Sequence, residues 1–313
     1  ILGTPYVNML NKAVEYNKQN ELIQVSEALH EKKYAEIADN IYRRKDEVKL
    51  VLLAGPSSSG KTTSCRRIAT QLSVLGFKPL QISLDDYFVD REHTPKDASG
   101  NYDFECIEAL DLDFFNYQMK ELLSGAEIEL PRFDFISGKR VQSGNRLKMK
   151  ANSILIVEGI HALNPHLTDK IEAKNKYNVF VSAMTQLALD RHNLISSSDN
   201  RLLRRIVRDN NYRGYSAQDT ILRWDSVRSG EEKHIFPYQE NADSIFNSSL
   251  LYEIGVLKPT AEKLLFEVAQ NSPAYSEARR LQNFLSEFKS IKTDFIPPTS
   301  IMREFLGGSS FAY

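Results

Sequence analysis

The stretch Lys49-Leu50-Val51-Leu52-Leu53-Ala54-Gly55-Pro56-Ser57-Ser58-Ser59-Gly60-Lys61-Thr62-Thr63 decides the fold of this chain. The apolar run Leu50 to Ala54 predicts a buried strand, and Gly55 to Thr62 satisfies G-x-x-x-x-G-K-[ST] at every position. From Thr62 onward, Ile68, Leu72 and Leu75 recur at helical steps until Gly76 offers a stop. Strand, glycine-rich loop and helix in that order predict a phosphate-binding loop. Its backbone N–H groups and the helix start supply donors to an anion. Lys61 is placed to reach β- and γ-phosphates, and the Thr62 hydroxyl to ligate Mg²⁺. The competing reading is a chance match in a Ser/Gly turn, and the flanking strand and helix argue against it.

Working outward, residues 5–47 read as polar helix, with Val7, Leu10, Val14, Leu22, Val25 and Leu29 at helical steps. A second strand runs Lys78 to Leu84 and ends in Asp85-Asp86. Asp111 to Leu123 predicts a helix, and Glu127 to Phe135 with Val141 to Lys150 predicts a hairpin through Ser137-Gly138-Lys139. Further strands are expected at Ser153–Val157, Tyr177–Ala183 and Asp243–Asn247, and a helix over Leu264–Phe288. Strands alternating with helices predict an α/β fold with a parallel sheet covered on both faces. We divide the chain into a helical segment over 1–47, a nucleotide-binding domain over 48–262, and a helical segment with a short tail over 263–313. The chain opens at Ile1 without methionine, which reads as a trimmed fragment or the remnant of an upstream domain.

With 313 residues, 42% hydrophobic and 26% charged, the composition is that of a soluble globular chain. A net charge of −1 speaks against a nucleic-acid partner, and no 18-residue apolar run marks a membrane span. Two cysteines without metal-ligand spacing fit a reducing, cytoplasmic setting.

Several side chains could carry chemistry. Asp85 and Asp86 sit at the carboxyl end of a strand, where open α/β sheets bind ligands and a carboxylate can orient an attacking hydroxyl. We place Asp85 ahead of Asp86; the competing reading is a solvated acidic turn. Glu158 closes the run Ile154–Val157 beside Gly159, which fits an acid near Mg²⁺. Arg201, Arg204, Arg205 and Arg208 share one helical stripe opposite Leu202, Leu203, Ile206 and Val207, with no acidic stripe beside them. That stripe reads as a lid closing over a triphosphate, as a solvated basic face, or as an RNA-binding helix. The six histidines show no metal spacing.

Taken in order over about residues 48–260, these pieces resemble the uridine kinase and phosphoribulokinase family of P-loop kinases. The resemblance rests on Gly55–Thr63, Ser83-Leu84-Asp85-Asp86-Tyr87-Phe88 and Asn101-Tyr102-Asp103-Phe104. It continues through Pro131-Arg132-Phe133-Asp134-Phe135, Val157-Glu158-Gly159-Ile160, and Arg204 to Asp209 with Arg213-Gly214. It is nearest to bacterial uridine-kinase-like proteins whose kinase domain follows segments related to the amino-terminal part of threonyl-tRNA synthetase. The tail from Pro297 to Ser309 is similar to theirs.

The resemblance implies a P-loop NTPase three-layer αβα sandwich with a helical preface and a lid made of the hairpin and the arginine helix. It implies ATP and Mg²⁺, and a nucleoside 5′-hydroxyl as acceptor. Asp85 falls at the catalytic base, with Lys61, Arg205 and Arg208 as further catalytic groups. Gly55, Ser57, Ser58, Ser59, Gly60, Lys61, Thr62, Thr63 and Arg213 fall at nucleotide-binding positions, and Thr62 and Glu158 at the metal. Asp103 falls where the family holds ribose hydroxyls, and Phe133, Phe135 and Arg205 border the acceptor. The sequence departs where uridine and cytidine enzymes carry a Tyr (here Phe133), a base-reading His (here Gly138) and a further lid arginine (here Tyr215). The open alternatives are a kinase of another sugar or sugar phosphate, and a nucleotide-dependent regulatory or RNA-associated NTPase. The resemblance also admits a homo-oligomer.

Overall fold

The computed structural model describes residues 4–96, 100 and 102–311. Asn101 of the expected motif, part of the Thr94–Tyr102 loop and the two chain ends lie outside the described residues.

Two helices open the chain, α1 (Val7–Glu15) and α2 (Gln19–Arg43). β1 (Leu50–Ala54) follows, then α3 (Lys61–Val74), β2 (Lys78–Ser83) and α4 (Leu112–Leu123). A hairpin of β3 (Glu127–Asp134) and β4 (Lys139–Lys148) precedes β5 (Ser153–Glu158) and β6 (Lys176–Ser182). Helices α5 (Ser197–Arg213) and α6 (Ala217–His234) lead to β7 (Ser244–Asn247), and α7 (Glu253–Phe266), α8 (Tyr275–Ser286) and α9 (Met302–Leu306) complete the described chain.

The main sheet has the strand order β2-β5-β1-β6-β7, with every pair parallel. β1 and β5 are buried along their whole length, as a parallel strand covered on both faces must be. Alternate residues divide between two apolar cores. Val51, Leu53, Ile154, Ile156, Val179 and Val181 face helices from both ends of the chain, including Ile23, Ile37 and Ile41 of α2 and Met302 and Phe305 of α9. Leu50, Leu52, Leu155, Val157 and Phe180 face Phe115, Met119 and Leu122 of α4 together with Phe88 and Phe133. These layers form the three-layer α/β sandwich.

Two local readings are corrected. The helix expected over Leu264–Phe288 is two helices, separated across 267–274, where Ser272 and Pro273 interrupt the chain. The tail after Pro297-Pro298 folds into α9, which the short polar sequence did not announce; Ile301, Met302 and Phe305 bury its apolar side.

Candidate active site

Strand register places the first group. β5 lies between β1 and β2, with Glu158 opposite Leu53 on one side and Ser83 on the other. Its carboxylate therefore emerges at the carboxyl edge of the sheet, beside the loop that follows β1. Thr62 Oγ1 donates to Glu158 Oε1 at 3.2 Å and Ser83 Oγ donates to the same oxygen at 3.1 Å. Burial raises the Glu158 pKa to about 7, the nearby Asp85 pushes the same way, and Lys61 partly opposes them. A buried carboxylate crowded by a second acid, with two hydroxyls beside it, is an all-oxygen set suited to a hard divalent cation such as Mg²⁺.

The loop itself has the shape of an anion cradle. Gly60 begins α3 in the left-handed region at φ 83°, which an L side chain rarely adopts. The buried Ser58 and Ser59 hydroxyls have no hydrogen-bond partner among the described residues. Buried hydroxyls normally find one, so their orphaned state fits a loop made to meet an oxyanion. Lys61 is partly buried and donates to the Pro56 carbonyl at 3.1 Å. Burial lowers its pKa, while Glu158 and Asp85 hold it up.

The two acids after β2 divide. Asp86 Oδ1 accepts from the Phe133 N–H at 3.1 Å, fastening the hairpin, and burial raises its pKa. The Asp85 charge bears instead on Lys61, Glu158 and Arg213. Asp103 accepts from the Glu105 N–H at 3.0 Å, and its own N–H reaches the Pro95 carbonyl.

The arginine helix needs the largest correction. The expectation of four guanidiniums without acidic partners is wrong: Arg201 and Arg204 meet acids from elements distant in sequence, and Arg205 and Arg208 share Asp209 of their own helix. Arg201 donates to Glu231 of α6 at 2.6 Å, and that same Oε1 accepts the Ser57 N–H at 2.8 Å. Arg204 is fully buried and paired with Glu253, with Nε to Oε2 at 2.9 Å. Arg201 and Arg204 are thus internal struts. Arg205 and Arg208 turn toward the loop side: Arg205 Nη1 donates to Ser57 Oγ at 2.8 Å, and both pair with Asp209. Burial opposes ionisation of Asp209, but Arg208, Arg205 and Arg213 together hold its pKa below the usual range. Burial also lowers the Arg205 pKa, helped by Arg208. The neighbouring Arg208, followed by burial, lowers that of Arg213 to about 10. Such crowded cations are held ready for negative charge.

The hairpin contributes a cluster of aromatic rings. Phe133 is buried and Phe135 half-exposed, their rings 5.3 Å apart, with Phe88 5.6 Å from Phe133. Arg213 lies over the Phe135 ring at 5.4 Å. At the turn, Gly138 has φ 69°, and a Cβ there would meet Arg91 Nε at 2.7 Å. Arg91 also donates to the Phe135 carbonyl at 2.6 Å. Tyr215 stands beside Arg223, whose guanidinium lies 4.6 Å from its ring centre. His161, which follows Glu158, is buried and kept neutral, its pKa lowered to about 4 by burial and by His234.

The structure therefore gathers Ser57–Thr63, Asp85, Glu158, Arg205, Arg208 and Arg213 at one edge of the sheet, with Phe133 and Phe135 across from them. Sequence reasoning missed Ser83, Glu231 and Glu304, the last of which accepts from Thr63. Glu231 carried a signal: it continues the buried stripe Ile221, Trp224, Val227 of α6, where a lone acid demands a partner.

This topology and loop define a P-loop nucleotide-binding fold. The family model described as Phosphoribulokinase / Uridine kinase family matches residues 50–251, and the chain belongs to that family. Uridine kinases of Staphylococcus aureus strains JH9 and Newman are 30% identical over 198 residues, 63% of this chain and 86% of each relative. A structure described as a possible uridine kinase from Bacillus stearothermophilus has a TM-score of 0.41 at 16% identity, covering 66% of this chain and 100% of that one. D-glycerate 3-kinase from Cryptococcus neoformans var. grubii has a TM-score of 0.36 at 13% identity, covering 88% of this chain and 87% of that one. No helix among the described residues is long and apolar enough to cross a membrane.

Proposed function

We propose that this kinase transfers the γ-phosphoryl group of ATP to the 5′-hydroxyl of a ribonucleoside. The observation that carries the reading is the convergence of Thr62, Glu158, Lys61 and Asp85 at one sheet edge, next to the hairpin that Asp86 fastens through the Phe133 N–H. Lys61 and the loop N–H groups hold the β- and γ-phosphates. Thr62 and Glu158 are the residues that would hold Mg²⁺, which when bound neutralises phosphate charge. Asp85 accepts the acceptor hydroxyl proton as the oxygen attacks, Asp103 holds the ribose hydroxyls, and Phe133 and Phe135 flank the base. Arg205, Arg208 and Arg213 balance the charge that spreads over the phosphoryl oxygens in the transition state.

A second acceptor class, a sugar or sugar phosphate, is favoured by one observation. Arg91 fills the space beside Gly138, so the hairpin presents a cation there. The two readings separate in one experiment. ATP and Mg²⁺ are supplied with a panel of ribonucleosides, deoxyribonucleosides, pentoses and pentose phosphates, and products are weighed by mass spectrometry. A nucleoside monophosphate supports the first reading and a phosphorylated sugar the second. ATP hydrolysis with no phosphorylated acceptor removes both and leaves a regulatory NTPase.

A further inference from the structure

The segment after Pro298 is short but firmly seated. Ser300 Oγ donates to Glu27 Oε1 at 2.5 Å, and the Tyr252 hydroxyl donates to the same oxygen at 2.6 Å. Arg303 donates to the Thr293 and Ile296 carbonyls, and Phe305 lies beneath the Arg204 guanidinium at 5.2 Å. From this anchor one charged side chain reaches into the phosphate loop. Glu304 Oε2 accepts from the Thr63 hydroxyl at 2.5 Å and from the Thr63 N–H at 3.2 Å. Ile301 covers the turn just before, 3.0 Å from where a Cβ on Gly60 would stand.

Thr63 is the third residue of α3, so its N–H is one of those that a helix start leaves without an intrahelical acceptor. Such N–H groups, at the positive end of the helix dipole, are what a phosphate binds. Here the Thr63 N–H is answered by a carboxylate from the other end of the chain, 241 positions away. The Glu304 charge also bears on Lys61 and on Glu158, the two groups on either side of the expected phosphate path.

We infer that Glu304 is a built-in competitor of the phosphate donor, and that docking of the C-terminal segment and binding of ATP oppose each other. The inference rests on the reading of Gly55–Thr63 as the ATP site. A triphosphate on this loop meets Glu304 either as a like charge at close range or after displacing it from Thr63. Both routes cost affinity. By reciprocity, bound nucleotide loosens the segment as much as the segment weakens the nucleotide. The segment then acts as a restraint that a partner gripping Ile301–Leu306 could release. A simple helix cap makes the opposite forecast: removing it lowers stability and does nothing to improve ATP binding.

The test uses the full chain and its Glu304→Gln and Glu304→Ala variants, with MgATP affinity read by isothermal titration calorimetry. Glutamine keeps a hydrogen-bond acceptor while removing the charge, so it separates repulsion from capping. We expect both variants to bind MgATP at least about tenfold more tightly than the parent chain, a like-charge penalty of the size seen for allosteric couplings. A second readout needs no variant: hydrogen exchange of the amides of 301–306 in the parent chain should quicken when MgATP is added. Unchanged or weaker ATP binding in both variants, with exchange that MgATP leaves unaltered, overturns the inference and leaves Glu304 a cap. Failure of the parent chain and both variants alike to bind MgATP overturns the ATP-site reading along with it.

Discussion

Thr62 and Glu158 meet hydroxyl to carboxylate at 3.2 Å although 96 positions separate them in sequence. The contact exists because β1 and β5 are adjacent and parallel, so the end of one strand and the loop after the other open on the same edge. Two halves of an expected metal site are thereby joined by backbone register alone. Glu158→Gln should leave metal-free ATP binding largely intact while removing the gain in ATP affinity that Mg²⁺ brings. We expect that gain to fall by roughly tenfold or more, on the scale of losses at metal sites. Calorimetric titrations with and without Mg²⁺ decide it, and an undiminished Mg²⁺ effect would take Glu158 out of the site.

The Arg204–Glu253 pair supports the arginine helix from inside, with both side chains almost wholly shut off from solvent. Removing one partner strands the other charge. Glu253→Ala should therefore cost about 3–5 kcal/mol of stability, and the double change Arg204→Met with Glu253→Leu should recover most of it. Urea unfolding of the three proteins measures this. A loss below about 1 kcal/mol would place the pair among ordinary surface contacts.

Glu105 gives a pH dependence with a defined sign. It is partly buried, its Oε2 has no hydrogen-bond partner among the described residues, and its pKa rises from 4.5 to about 7. Burial is the main cause; Glu231 and Asp85 add to it, while Arg205 and Lys61 oppose it. An acid whose folded pKa lies above its unfolded value binds the proton more tightly in the native state. Its contribution to stability is therefore greatest below about pH 4.5 and is lost as pH rises to about 7. Glu105→Gln should flatten that part of the stability–pH curve and raise the unfolding midpoint at pH 8 relative to the parent. Parallel curves for the two proteins would remove Glu105 as the source.

Gly138 limits how the hairpin can be re-engineered. Its φ of 69° and the nearby Arg91 side chain both oppose a Cβ. Gly138→His, which would restore the residue found in uridine and cytidine enzymes, should fail on its own. We expect a lower kcat/KM for every acceptor, by about tenfold given a left-handed penalty of about 1–2 kcal/mol, with ATP affinity unchanged. Steady-state kinetics across the acceptor panel checks this. A rise in activity toward uridine would mean that Arg91 moves aside readily.

Much of this site is legible in the sequence because its parts are local. Gly55–Thr63 carries strand, turn and helix signals in one window. Asp85 and Glu158 each end an apolar run, and in a parallel sheet that alone puts them on the ligand-bearing edge. The hairpin is legible from alternation and from the glycine in its turn. What escapes depends on distant partners. Nothing near Arg201 or Arg204 announces Glu231 or Glu253, so a buried ionic scaffold reads as a free basic stripe. Glu304 is hidden for the same reason: a five-residue helix has too little periodicity to be seen, and its contact is with a loop far back along the chain.

The proposed function turns on Asp85 activating an acceptor hydroxyl held against ATP on this loop. The decisive experiment follows ¹⁸O-labelled γ-phosphoryl from ATP to the acceptor, identified by mass, in the parent chain and in Asp85→Asn. We expect labelled nucleoside monophosphate from the parent. In the variant we expect a drop of at least ~10²-fold, the scale of lost general-base catalysis, with ATP still bound. Near-parental transfer by Asp85→Asn would contradict the role assigned to this carboxylate.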